Sequence, residues 1–180
     1  MAKLISNRYA YALFEAGLEL NKLDEFKKDL EIIVHTLDME PQIQDILSHP
    51  KISKNEKKDF VSNVFGKMVC QEMINFLYVI IDKRRESYFM SISNEFKKLF
   101  NEHENILEVT AITAVPMDKK AQDRLKVILG NKMNKTINLR NVVDKDIIGG
   151  VLLRIENKII DGTIKGQLES MEKVIKNVSL

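Results

Sequence analysis

The sequence predicts an α+β chain of two domains: an N-terminal six-helix bundle over residues 1–105, then a small α/β domain over 106–180 with a short sheet and a terminal amphipathic helix. Three observations predict it. Apolar residues recur at helical spacing up to about Asn105, β-branched residues gather into short runs from Ile106 onward, and glycines and acids hold fixed places among aliphatic residues between Asp144 and Gly166. The break in periodicity places the boundary near Glu104 to Ile106.

The first helix is expected over Asn7 to Leu20 and the second over Asp24 to Met39. Pro41 opens a short third helix that must end before Pro50, because proline suits a first helical position and pushes its predecessor out of the helix. Ser53 with Glu56 three residues later reads as a capping box opening a fourth helix through Phe65, and Gly66 stops it. A fifth spans Val69 to Lys83, and a sixth Ser87 to Glu104. Beyond the boundary, Ile106 to Val115 reads as a strand ended by Pro116. A helix over Lys119 to Met133 carries Ala121, Leu125, Ile128 and Leu129 on one face, and Thr136 to Val143 forms a second strand. Gly149 and Gly150 stand where a backbone needs positive φ or close approach. Val151, Leu153 and Ile155 then alternate along a strand, Glu156 to Lys158 reverse it, a short strand returns, and a last helix shows Ile164, Leu168, Met171, Ile175 and Val178 at spacings of four and three.

Hydrophobic residues make up 44% of the chain, enough for real cores, so disorder is not expected. Net charge is +2 with 30% charged residues, so acids and bases are interspersed and nucleic acid is a poor partner. The longest apolar run, Phe76 to Ile81, is far short of the roughly 20 residues that cross a bilayer. Met1 to Tyr9 lacks a signal-peptide core and Glu15 and Glu19 do not suit a transit peptide, so the expectation is a bacterial cytoplasmic protein or a mature organellar one. The single Cys70 excludes an intramolecular disulfide, and its expected role is to fill core volume.

Convergent polar groups are few. His35, His49 and His103 are far apart and have no Cys or second His at ligand spacing, which favours surface histidines over a metal site. Gly149-Gly150 lacks the Lys and Ser or Thr that a phosphate-cradling loop uses, so no cofactor is expected. Asp144 and Asp161 are the pair a small cytoplasmic enzyme would use as acid and base. Turn and cap roles suit them better, Asp144 before a turn and Asp161 as the N-cap of the last helix. A basic RNA-binding module would use Lys83 to Arg85 with Lys97 and Lys98, although cations in a last helical turn need no partner.

The first helix has almost no polar face, and its small residues Ala10, Ala12, Ala16 and Gly17 would let another helix approach closely. The fifth carries Ile74, Leu77 and Ile81 on one stripe and Asn75, Tyr78, Val79 and Asp82 on a mixed face beside it. Side by side the two would form a groove. Periodicity alone does not choose between such a groove and two helices that are simply central in the bundle.

The run DKDIIGGVLLRIENKIIDGTIKGQLE, from Asp144 to Glu169, resembles the C-terminal signature of the F-type ATP synthase delta subunit, or oligomycin-sensitivity conferral protein, family. RYAYALFEAG at Arg8 to Gly17, LSHPKISKNEKK at Leu47 to Lys58 and NFLYVIIDKRR ending at Arg85 resemble that family's N-terminal pattern in the same order, so the resemblance covers nearly the whole chain. It implies a non-catalytic stator subunit without cofactor. Residues 1–105 would bind the N-terminal segments of alpha subunits of the catalytic head, residues 106–180 the b-type subunits of the peripheral stalk, and the membrane only indirectly, at the cytoplasmic face of a bacterial inner membrane. By motif position the implied head contacts are Tyr9, Ala12, Leu13 and Ala16 with Asn75, Tyr78 and Val79, and the structural signature is Asp144, Gly149, Gly150, Asp161, Gly162 and Gly166. The exposed remainder of the last helix and a hairpin at Gly149-Gly150 are the implied stalk contacts. Two departures from the family pattern stand out: Gly130 inside a helix, and Glu156-Asn157 where members often place a glycine.

Overall fold

The computed structural model describes residues 2–156, 158–168 and 171. The chain is α+β and divides into two compact units, Met1–Asn101 and Glu102–Leu180, so the change of unit falls in the last turn of a helix rather than after it.

The first unit contains α1 (Ala2–Glu19), α2 (Leu23–Met39), α3 (Pro41–Ser48), α4 (Lys54–Phe65), α5 (Gln71–Asp82), a 3₁₀ turn at Glu86–Tyr88, and most of α6 (Phe89–His103). α1 begins well before Asn7, because nothing in Lys3 to Ser6 breaks a helix and Ser6 is itself buried. α5 is shorter than its apolar run: Cys70 stands at its N-cap position and donates its backbone N–H to Asp29 Oδ2 at 2.9 Å. The core is aromatic and aliphatic, with Phe26, Phe65, Phe96, Ile33, Met73, Ile81 and Ile92 all under 2% exposed. Phe14 meets Phe96 edge to face at 6.2 Å, a geometry the ring quadrupoles favour. Gly17 packs on α2, where a Cβ would lie 2.8 Å from Leu23 Cδ2, and Ala10 is fully buried. Those two small residues therefore serve internal packing, not an outside helix.

The α4 cap is complete. Ser53 Oγ accepts from Glu56 N–H at 3.3 Å and Glu56 Oε2 accepts from Ser53 N–H at 2.9 Å. Gly66 ends the helix in an ordinary right-handed conformation. The Ser53 backbone N–H holds the Glu56 carboxyl below its usual range. A depressed folded pKa contributes stability above the unfolded value, about 4.3, and loses it as pH falls through the folded value. Ser53→Ala removes the Oγ acceptor and is expected to cost ~1 kcal/mol in urea unfolding at pH 7, while the carboxylate bond to the retained Ser53 N–H keeps its own pH dependence, which Glu56→Gln is expected to remove.

In the second unit, β1 (Ile106–Thr113), α7 (Lys119–Met133), β2 (Thr136–Val143), a 3₁₀ turn at Lys145–Ile147, β3 (Gly150–Ile155) and β4 (Lys158–Thr163) build a sheet of order β2-β1-β3-β4. β1 and β2 are parallel, joined through α7, and the other pairs are antiparallel. Alternation along β1 buries Leu107, Val109 and Ala111, which pack with Leu129, Ile137, Leu153 and Ile155. α7 runs unbroken through Gly130. Ile128, expected on the inner face, is 62% exposed beside Val127. Asn141 ties the edge strand β2 to β1, donating to Ala111 O and Thr113 Oγ1 at 2.9 and 2.8 Å.

Candidate functional site

Tyr9, Ala12, Leu13 and Ala16 recur at helical spacing along α1, as do Asn75, Tyr78 and Val79 along α5. Ala12, Asn75 and Val79 are exposed, and Tyr9, Ala16 and Tyr78 are partly buried. Leu13 departs from the expectation: it is 4% exposed and belongs to the core, one position past the outward face, so no outside chain reaches it. The other α5 stripe is sealed, with Ile74, Leu77 and Ile81 at 3%, 7% and 2% exposure. Val79 at 47% is thus apolar area that folding does not use. Leu4 and Tyr11, one heptad apart on α1, add exposed area, and Leu4 lies before the Asn7 start expected from the sequence.

Neighbouring side chains fix this region. Lys22, just past α1, reaches Glu72 in the first turn of α5 at 2.9 Å. That bond raises the Lys22 pKa and lowers that of Glu72. Both groups are solvated, so the pair is a positional tie worth little in stability. Asn75 Oδ1 accepts from Gln71 Nε2 at 3.2 Å, and the Lys58 ammonium lies 5.5 Å from the Tyr78 ring centre.

The signature residues of the second unit hold one another. Asp144 Oδ1 accepts from Asp146 N–H at 3.0 Å and caps the 3₁₀ turn. Asp161 lies in β4 and accepts from Thr163 N–H at 2.8 Å, a bond that lowers its pKa. The cap of the following turn at 164–168 comes instead from Thr163, whose Oγ1 accepts from Gly166 N–H at 2.9 Å. Gly166 fits because a Cβ there would press on the Asp161 carboxylate. Positive φ belongs to Gly150 at +83° and to Ile148 at +65°, not to Gly149. The hairpin turn lies after Ile155, where Glu156 takes φ +49°, so Gly149 precedes β3 and Gly150 opens it, and the pair does not form a hairpin turn. Gly162 faces Val151 across the ladder. Ile159, Ile160, Ile164, Leu168 and Met171 are all at least 47% exposed, while Ile175, Val178 and Asn157 lie outside the described residues.

Both carboxylates of the enzymatic reading accept backbone donors, Asp144 from Asp146 N–H and Asp161 from Thr163 N–H. Burial pushes the Cys70 thiol up to about 12, with the Asp29 carboxylate adding to the effect, so it is not a thiolate near neutral pH. A small, partly open pocket of the first unit, between Ile33, Leu37, Phe65, Leu77 and Phe89, is about 30 Å³, room for roughly one or two waters. Among the described residues no trio of His, Cys, Asp or Glu is placed to hold a metal ion, and no helix is long and apolar enough to cross a membrane. Of the basic runs, Lys98 pairs with Glu95 at 2.7 Å and Arg85 lies over the Tyr88 ring.

Two compact units with exposed apolar residues on each suit a chain that binds other proteins. Residues 5–175 match the model of the ATP synthase delta (OSCP) subunit family. The chain is similar to ATP synthase subunit delta of Alkaliphilus oremlandii, at 44% identity over 99% of both chains, and of Clostridioides difficile, at 42% over 99% of both. Its fold is similar to a chain in the cryo-EM structure of the Toxoplasma gondii mitochondrial ATP synthase hexamer, with TM-score 0.77, 17% identity, and coverage of 94% of this chain and 96% of that one. The chain belongs to the ATP synthase delta (OSCP) subunit family. It is a non-catalytic stator subunit of an ATP synthase, peripheral to the membrane.

Proposed function

We propose that the six-helix bundle expected over residues 1–105 grips the catalytic head by receiving N-terminal segments of its alpha subunits along α1 and α5. The α/β domain expected over residues 106–180 grips b-type subunits of the peripheral stalk at the cytoplasmic face of a bacterial membrane. The observation that carries the reading is Val79: α5 buries one stripe completely and leaves this residue 47% exposed beside Asn75, with Ala12 exposed on α1. An amphipathic helix laid there would cover it, the usual logic of helix-in-groove recognition. The exposed Ile164, Leu168 and Met171, beside Gly149, supply the corresponding area for the stalk. Two grips on one chain hold the head against rotation by multivalency, each needing roughly 1,200–2,000 Å² of total buried area.

The test is titration of an alpha-subunit N-terminal peptide against the full chain and Ala12→Trp. Tryptophan at an exposed position leaves the far-UV circular dichroism unchanged and fills the approach, so affinity is expected to fall by about tenfold or more, ~1.4 kcal/mol. Equal affinity in the variant removes α1 from the site.

A further inference from the structure

The motif LSHPKISKNEKK and the basic run after α5 are far apart in sequence, and the head contacts use neither. The structure brings them together. Lys51, Lys54 and Lys57 from the first, with Arg84 and Glu86 from the second, line an open pocket of about 300 Å³. Four cations against one carboxylate leave a local charge of +3 in a chain whose total is only +2.

The Glu86 carboxylate is already engaged. It accepts from Lys57 Nζ at 2.8 Å in a pair whose side chains are 8% and 10% exposed, which forms the pocket's fixed wall. Lys54 donates to the Asp82 carbonyl at 2.8 Å, and the Asp82 carboxylate is taken by Lys58. No described carboxylate pairs with Lys51 or Arg84. Ser48 and Ser87 add hydroxyls to the lining, and the start of α4 adds its partial positive charge in the same sense.

Arg84 also holds an unusual backbone. It sits at φ +52° at the end of α5, donating its N–H to Ile81 O at 3.0 Å. The corresponding left-handed residues after α1, α6 and α7 are Asn21, Asn105 and Asn134, the residue type that tolerates this region best after glycine. An arginine kept there against its conformational preference points to a use for its side chain.

We propose that this pocket binds a phosphate-sized oxyanion, coordinated by Arg84 and Lys51 and backed by Lys54 and the Lys57–Glu86 pair. Charge-assisted donors converge there, with the one acceptor satisfied, which suits a dianion with several acceptor oxygens. The open pocket has ample room for free phosphate, so the donors rather than the walls set what binds. The site is independent of the head-binding face, and its fate does not bear on that reading.

The experiment titrates inorganic phosphate, and separately AMP, into the ¹⁵N-labelled full chain at low ionic strength. Saturable shifts of the Lys54, Arg84 and Ser87 amides are expected with phosphate. Arg84→Gly keeps the left-handed backbone while removing the guanidinium, and Lys51→Gln removes the other unpaired cation at an exposed site. Each is expected to weaken binding about tenfold, the effect of one lost charge-assisted bond. Lys126→Gln on α7 should leave it unchanged. Tighter binding of AMP than of phosphate assigns the oxyanion to a nucleotide; equal or weaker binding assigns it to the free ion. Shifts that never saturate, or that survive both pocket variants, overturn the proposal.

Discussion

Gly150→Val is expected to destabilise the second unit severely while the first keeps its helices. Gly150 sits at φ +83°, and a Cβ built there would overlap the Gly162 carbonyl oxygen and lie 2.9 Å from Thr163 Cα. Neither neighbour is free to move, because Gly150 pairs with Thr163 and Val151 with Gly162 in the β3–β4 ladder. A branched side chain adds a left-handed backbone penalty to that clash, for a total of about 3–5 kcal/mol. A unit of this size has a stability of about 4–12 kcal/mol, so the loss removes between about a quarter and all of it. Gly149→Ala should cost less: φ there is ordinary, and the new methyl would meet only the flexible end of Ile164 at 2.9 Å. Urea unfolding followed by circular dichroism and amide dispersion separates the cases. A Gly150→Val midpoint equal to wild type means that the β3 start carries no special conformation.

Val79→Asp is expected to abolish binding of the alpha-subunit peptide without unfolding the chain. At 47% exposure an aspartate stays solvated in the free protein, and surface changes of that kind stay within about 0.5 kcal/mol. Under a docked apolar helix the same carboxylate loses its water, a cost of several kcal/mol that lowers affinity by about 100-fold or more. Leu77→Asp, two residues away at 7% exposure, should instead destabilise the first unit itself. Undiminished affinity in Val79→Asp would move the head contact elsewhere.

The contrast between Val79 and Leu77 also shows what could be read without coordinates. Spacing along α5 separated the sealed stripe from the mixed face correctly, because one helix's own period decides it. Depth was harder: Leu13 has the same spacing to Tyr9 as Val79 has to Asn75, yet it is core, since α1 buries more than one stripe. Caps followed the same division. The Ser53 and Glu56 box is a local signal and stands where the spacing put it. Asp161 looked like the last helix's cap, but β4 runs on through it and Thr163 takes that role, a competition between strand pairing and capping that the local sequence does not resolve. The buried Lys57–Glu86 pair was invisible because its partners are separated by 29 positions and meet only through packing. Gly150 was legible as a special position; that its left-handed neighbour is Ile148 rather than Gly149 was not, as isoleucine gives no such signal.

The most direct measurement is sedimentation of purified head and stalk subunits with the full chain. Wild type is expected to carry both in a single species, and Val79→Asp to retain the stalk while releasing the head. Head and stalk that travel together without the chain, or a variant that loses both at once, would contradict a linker with two separate grips.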